Sequence, residues 1–246
     1  MATRLYLPAV LTAGAGIDLD AATAHRLRTV LRLAAGAVLA AFNERDGEWL
    51  CRINELGRSR GALIAERQTH PAAPEPDLWL LFAPIKRARL DWLVEKATEL
   101  GVTELRPVWT ARTQPERLNA DRLRALAVAA AEQSERLSVP EIAEAASLDQ
   151  VLTNWPPSRR LVVCDETGDG IPAVTALAGL SPGTPAALLV GPEGGFSETE
   201  LDALGKLPIV TRIGLGPRIL RAETAAIAAV AVFQAICGDW RRHRSR

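Results

Sequence analysis

Leu188-Leu189-Val190-Gly191-Pro192-Glu193-Gly194-Gly195-Phe196-Ser197-Glu198-Thr199-Glu200 is the stretch on which the fold turns. Ala186 to Val190 is apolar without alternation, the pattern of a strand buried on both faces. Gly191, Pro192, Gly194 and Gly195 then break the strand, and Ser197 followed three residues later by Glu200 is a capping box that opens a helix. Strand, glycine turn and helix in that order make one repeat of an α/β fold with a mostly parallel sheet. The same grammar returns at Ile209 to Leu215, a strand that runs into Gly216, Pro217, Arg218, Ile219, Leu220 and Arg221 ahead of a helix from about Ala222. In open parallel sheets ligands collect beyond the carboxyl ends of the strands, and glycine lets backbone approach them closely. These two turns are the expected ligand-facing loops.

Upstream, the alternation continues back to residue 78. Leu78 to Ala83 reads as a buried strand; Leu90, Leu93, Ala97 and Leu100 recur at helical spacing until Gly101; Glu104 to Val108 is the next strand. Asn119 caps an alanine-rich helix through Gln133, and Leu161 to Asp165 is a further strand. Before that half lies His70-Pro71-Ala72-Ala73-Pro74-Glu75-Pro76-Asp77, whose three prolines hold the chain extended and mark residues 71–77 as a linker. Residues 1–70 carry short strand-like pieces at Arg4 to Leu7, Ala37 to Phe42, Glu48 to Asn54 and Ala62 to Gln68, with Asp46-Gly47 as a hairpin signal and a helix over Ala22 to Leu33. That composition predicts a small β-rich domain, a barrel, followed by an α/β domain over 78–246.

Bulk properties exclude several classes. No apolar run nears the roughly 18 residues that span a bilayer, and the first residues lack a secretory hydrophobic segment, so a cytoplasmic protein is expected. Cys51, Cys164 and Cys237 are scattered, and His25, His70 and His243 have no ligand spacing; neither disulfides nor a metal site is expected. The formal net charge of zero gives no global reason to expect nucleic acid. The basic residues are nearly all arginine, lysine occurring only at 86, 96 and 206.

The two loops narrow the chemistry. The first lacks the Gly-Lys-Ser/Thr ending of a phosphate loop and the Gly-x-Gly-x-x-Gly of dinucleotide folds, which sets aside nucleotide-dependent kinases and dehydrogenases. Side-chain-poor backbone suits an adenosine-like ligand gripped by main-chain hydrogen bonds; a plain strand-to-helix turn, with Glu193 merely solvated, is the alternative. In the second loop Arg218 and Arg221, three apart, read as lying on one side of a helix start, where cations oppose the macrodipole. They imply an anionic ligand, or a salt bridge to Glu223.

Leu189 to Ser197, together with Leu215-Gly216-Pro217-Arg218-Ile219-Leu220-Arg221-Ala222-Glu223-Thr224-Ala225, closely resembles the RsmE family, the 16S ribosomal RNA uracil-N3 methyltransferases. The resemblance extends to Glu95 to Val102, to Ala129 to Ile142 with Glu132-Gln133-Ser134, and to His25 to Leu33. It implies a PUA-like RNA-binding barrel over 1–70 and a SPOUT methyltransferase domain over 78–246, threaded as a trefoil knot and paired as a homodimer. It further implies S-adenosylmethionine as cofactor, held by Leu189, Val190, Gly191, Pro192, Glu193, Gly194, Gly195, Leu215, Gly216, Arg218, Ile219 and Leu220, with the loop after Asp165 as a third wall. The implied partner is 16S ribosomal RNA or the small subunit. A SPOUT enzyme acting on a ribose 2′-hydroxyl or another base, or a noncatalytic assembly factor, are the alternatives.

Uracil N3 carries a proton, so attack on a sulfonium methyl requires deprotonation and stabilisation of charge spreading onto O2 and O4. Arg218 or Arg221 is the expected stabiliser, oriented by Glu223; no single base is evident. Arg26, Arg28, Arg32, Lys86 and Arg112 are candidates for RNA contact, although residues 1–70 hold nine basic and seven acidic residues, so each is also read as part of a solvated face. The final Arg241 to Arg246 reads as a disordered basic tail. Two departures from the family pattern stand out: Ala111 where a glutamate is common, which leaves no carboxylate there, and Glu135 where glycine is common.

Overall fold

A computed structural model describes residues 3–113, 118–181 and 183–241 and divides them into two compact units. The first comprises residues up to 74 together with 131–139; the second comprises 75–130 and 140 onward. The terminal basic segment from residue 242 lies outside the described residues.

The first unit is built on strands β1 (Arg4–Tyr6), β2 (Gly16–Leu19), β3 (Val38–Asn43), β4 (Gly47–Leu56) and β5 (Gly61–His70), in the order β1-β3-β4-β5-β2. The β1–β3 pair is parallel and the rest antiparallel. Three register shifts along the β4–β5 pair bend the ladder and curl the sheet around Leu5, Leu27, Leu39, Ile53 and Leu63, all buried. β2 escapes a reading from sequence because four residues with Asp18 among them give too short an alternation.

Helix α1 (Ala21–His25) starts where Asp20 accepts from the Thr23 amide at 2.7 Å, but the helix expected through Leu33 stops early. It loosens into a π turn over Arg26–Val30, with the Leu31 amide donating to Arg26 O, and ends at Arg32, whose φ is +55°. Arg4 ties the unit together. Its Nε donates to buried Glu48, and its Nη1 and Nη2 donate to the carbonyls of Ala131, Glu132 and Arg136.

The second unit is a parallel sheet of β6 (Leu78–Phe82), β7 (Glu104–Trp109), β8 (Glu141–Ile142), β9 (Ala146–Ser147), β10 (Arg160–Cys164), β11 (Ile171–Pro172), β12 (Ala186–Val190) and β13 (Val210–Gly214). Their order is β11-β13-β10-β12-β6-β7-β8, with β9 paired to β7. All five residues of β12 are buried, as its unbroken apolar run requires.

The helices between strands are α2 (Arg87–Glu99), α3 (Ala120–Ser134), α4 (Leu148–Thr153), α5 (Ala173–Ala178), α6 (Glu198–Gly205) and α7 (Ala222–Ile236). The capping box read at Ser197 and Glu200 is present in both directions. The six-residue α4 and α5 are too short to show a helical period. α7 packs on α2, α5 and strands β6 and β12, and buried Gln234 fixes it by donating to Leu100 O at 2.7 Å.

Candidate cofactor-binding and catalytic site

Strand register decides which loops meet. Cys164 at the end of β10 lies opposite both Val190 of β12 and Ile213 of β13, so the chain leaves all three strands at one edge. The loops that follow enclose a cavity of about 480 Å³, within the roughly 300–1,000 Å³ usual for small-molecule sites. From the first expected loop, Val190, Gly191, Pro192, Glu193 and Gly195 line it. From the second, Leu215, Gly216, Arg218, Ile219 and Leu220 do. The third wall is the segment from Asp165 to Gly170.

Two of the residues expected to hold the cofactor stand outside the wall, as do Arg221 and Glu223. Leu189 points to the other sheet face, fully buried beside Phe196 and Leu201, because neighbouring strand residues face opposite ways. Gly194 offers its carbonyl to Arg112 Nη1 at 2.8 Å. Gly195 has φ +69°, and a Cβ there would sit 1.9 Å from Glu166 Oε1, so both the conformation and the close carboxylate call for glycine.

Four charged residues are among those lining the cavity: Asp165, Glu166, Glu193 and Arg218. Burial raises the Asp165 carboxyl, but the Thr167 amide and hydroxyl and the Arg212 guanidinium outweigh it and hold the group below its ordinary value. Arg212 reaches across from β13 to Asp165 at 2.6 Å and thereby anchors the third wall. Glu193 is paired with Arg89 of α2, which also stands 3.5 Å from Glu223. The second oxygen of Glu223 is buried without a hydrogen-bond partner. Burial pushes the Cys164 thiol, also in the wall, up to about 12.

The arginines are placed differently from the sequence expectation. Arg218 lies in an irregular segment and not on a helix, and Arg221 is the N-cap of α7, with no side-chain capping bond. Pro217 and the positive φ of Gly216 keep the chain out of helical geometry until Ala222. Neither arginine has an ion-pair partner among the described residues; the partner of Glu223 is Arg89. Ion-pair partners such as Arg89 and Arg212 carry no local signal beyond, for Arg212, a charge within an otherwise uncharged strand.

A family model described as "RNA methyltransferase domain" matches residues 73–234, and one described as "RNA methyltransferase PUA domain" matches residues 19–64. The chain is 33% identical over 229 residues to "Ribosomal RNA small subunit methyltransferase E" of Rickettsia conorii, covering 93% of each. The chain belongs to the ribosomal RNA small subunit methyltransferase E family.

Among solved structures of that family, the protein from Neisseria gonorrhoeae, bound to S-adenosyl methionine, superposes with a TM-score of 0.86 at 26% identity, covering 98% of this chain and 100% of that one. A putative methyltransferase from Legionella pneumophila in complex with the same cofactor gives 0.82 at 28% identity, with 97% and 99% covered. Against this family background the departure at Glu135 has a structural consequence: its φ is +62°, the left-handed conformation that favours glycine, directly after α3.

Of the residues named for RNA contact, Arg28, Arg32, Lys86 and Arg112 are exposed. Arg26 is held by both oxygens of Glu132, at 3.1 and 2.5 Å, and Glu132 also accepts from the Tyr6 amide. Among the described residues no helix is long and apolar enough to cross a membrane, and no group of three or more His, Cys, Asp or Glu is placed to hold a metal.

Proposed function

We infer that this protein transfers the methyl group of S-adenosylmethionine to N3 of a uridine in small-subunit ribosomal RNA. The observation that carries the reading is the convergence of three backbone-rich loops on one cavity at the carboxyl edge of the parallel sheet. The cavity fits the cofactor chemically: it offers glycine and proline backbone for an adenosine, apolar walls from Val190 and Leu220, and charged groups for a polar tail. When bound, the cofactor supplies an electrophilic sulfonium methyl.

The protein's own part is to present the base as an anion. N3 must lose its proton before its lone pair can form the new N–C bond, and the charge then spreads onto O2 and O4. Arg218 or Arg221, both lacking carboxylate partners among the described residues, is the cation that stabilises it. Glu223 acts on the site through Arg89, which it shares with Glu193 of the cofactor loop. Arg112, bonded to Gly194 O, contacts RNA or the base from the rim.

Residues 1–70, joined by the linker 71–77 to the methyltransferase domain 78–246, carry the RNA. Arg28, Arg32 and Lys86 meet phosphates, and Arg26 contributes through the half-exposed side of its Glu132 pair. The reading includes a cytoplasmic homodimer with a knotted catalytic domain, working without a metal.

Its test is nucleoside mapping. Small-subunit RNA from cells lacking the protein should lose one 3-methyluridine, and purified protein with cofactor should restore it; persistence of the modification sinks the reading. Arg221→Ala should lower kcat at saturating RNA by about a hundredfold, the cost of a transition-state charge contact, and wild-type turnover in both Arg221→Ala and Arg218→Ala removes the arginines from the mechanism.

A further inference from the structure

The turn that follows β7 stands beside the cavity without lining it. Phe82 of β6 is in register with Val190 of β12 and with Pro107 of β7, so β7 ends on the same edge of the sheet as β12. Its turn is closed on itself: the Thr113 amide donates to Thr110 O at 3.0 Å, and the Thr110 amide donates to Thr113 Oγ1 at 3.0 Å. Two bonds then tie the turn to the segment after β12. The Ala111 amide donates to Glu200 Oε1 at 2.7 Å, and Arg112 Nη1 donates to Gly194 O at 2.8 Å. Glu200 Oε2 accepts from the Ser197 amide at 2.8 Å, so one carboxylate grips both the start of α6 and the backbone next to Arg112.

The Arg112 side chain is held along its length. A Cβ on Gly194 would lie 3.7 Å from both Arg112 Cβ and Cδ, which places the aliphatic stem along the loop, and the Gly194 carbonyl fixes the guanidinium. One of its five N–H groups is spent there. Arg112 is exposed and has no ion-pair partner among the described residues. Gly194 lies between Glu193 and Gly195, which do line the cavity, so this cation stands on the rim. Resting on the RNA reading above, we propose that Arg112 binds a backbone phosphate beside the target uridine and that Glu200 is a positioning residue that fixes Arg112 before the RNA arrives. A planar guanidinium with one N–H on a carbonyl keeps others for a phosphate. Reading a base edge takes further side-chain groups, and the neighbours supply none: Ala111 is apolar, and the Thr113 hydroxyl is engaged with Thr110.

Binding of the full chain to small ribosomal subunits from cells lacking the protein, titrated between about 50 and 200 mM monovalent salt at fixed magnesium, tests this. Arg112→Gln should weaken binding about tenfold and lower the salt slope by about 0.7–0.9, the signature of one lost phosphate contact. Arg112→Lys should restore the slope, because a phosphate accepts any cation. Glu200→Gln leaves a single acceptor oxygen for two amides. It should weaken binding about threefold, the cost of ordering one long side chain, with the slope unchanged. On charge alone the sign is opposite, since removing an anion strengthens RNA binding. The double variant should bind no more weakly than Arg112→Gln, because Glu200 acts through Arg112. Calorimetric titration with S-adenosylmethionine should give the same affinity in every variant, which also reports an intact fold.

Tighter binding by Glu200→Gln, or additive losses in the double variant, overturns the positioning role. An Arg112→Lys protein as weak as Arg112→Gln overturns the phosphate in favour of a base read by the guanidinium fork, and an unchanged affinity and slope in Arg112→Gln removes the residue from the interface. Parallel loss of S-adenosylmethionine affinity overturns the proposal in favour of plain bracing of the cofactor loop. Failure of the wild-type protein to bind the subunits overturns the RNA reading itself, a result distinct from every outcome with the variants.

Discussion

Gly170→Ala is the sharpest test of the cavity's third wall. A Cβ at this position would lie 2.5 Å from the carbonyl carbon of Ile213, 2.7 Å from the Gly214 amide nitrogen and 2.9 Å from Ile213 O, where ordinary contact begins at 3.4 Å. All three atoms are backbone, so no side chain can swing aside, and β11 must part from β13 by about 1 Å. β11 has only two residues in register with β13, Ile171 with Ile213 and Pro172 with Gly214, which is too little ladder to absorb the shift.

Overpacking of this kind costs about 1–3 kcal/mol. For a chain of this size each kcal/mol lowers Tm by about 2–4 °C, so calorimetry should show a drop of roughly 2–12 °C. Because the displaced segment begins at Asp165 and Glu166, cofactor affinity should fall tenfold or more in the same variant. Gly205→Ala is the control. Nothing lies within 4 Å of its Cβ at the end of α6, and it should be neutral or gain a few tenths of a kcal/mol. If Gly170→Ala melts and binds like the wild type, the close approach of the two strands, and the wall built on it, is wrong.

Other substitutions probe separate features. Glu135→Gly should raise stability by about 0.5–1 kcal/mol in denaturant titrations, because it relieves a left-handed conformation after α3; a loss would mean that Glu135's own contacts outweigh the strain. Asp165 has its carboxyl depressed in the folded protein, so its contribution is complete above the ordinary aspartate value and disappears as pH falls through the lower folded value. Denaturation midpoints should therefore fall below about pH 4, and Asp165→Asn should flatten that part of the profile while lowering stability at neutral pH. Cys164, buried and pushed up to about 12, should resist alkylation at pH 8 in the native protein and react only on unfolding, as mass spectrometry of quenched samples would show.

Much of the α/β unit is legible in the sequence alone. The unbroken apolar run of β12, the capping box at Ser197 and Glu200, and glycine at 101 after α2 are local signals, each set by the chemistry of a few adjacent residues. Elements too short to show a period escaped: β2, β8, β9, β11, α4 and α5 have between two and six residues. In the second loop the spacing of Arg218 and Arg221 reads as one side of a helix start; Arg221 is the N-cap of α7, whereas Arg218 lies in the irregular segment before it. Within residues 1–70, the arginines read as RNA contacts included Arg26, whose partner Glu132 lies 106 positions away.

Sequence by itself determined that this chain alternates strand and helix after a proline-rich joint and ends two strands in glycine turns, because periodicity and turn chemistry act over a handful of neighbours. The turn after β10 is implied as a third wall only by the family resemblance, and tertiary structure alone decided that Arg212 and Arg89 neutralise Asp165 and Glu193. The register of parallel strands sets those meetings. Strands joined by helical crossovers bring together residues 47 and 104 positions apart, and no local pattern records which carboxylate a distant guanidinium will reach.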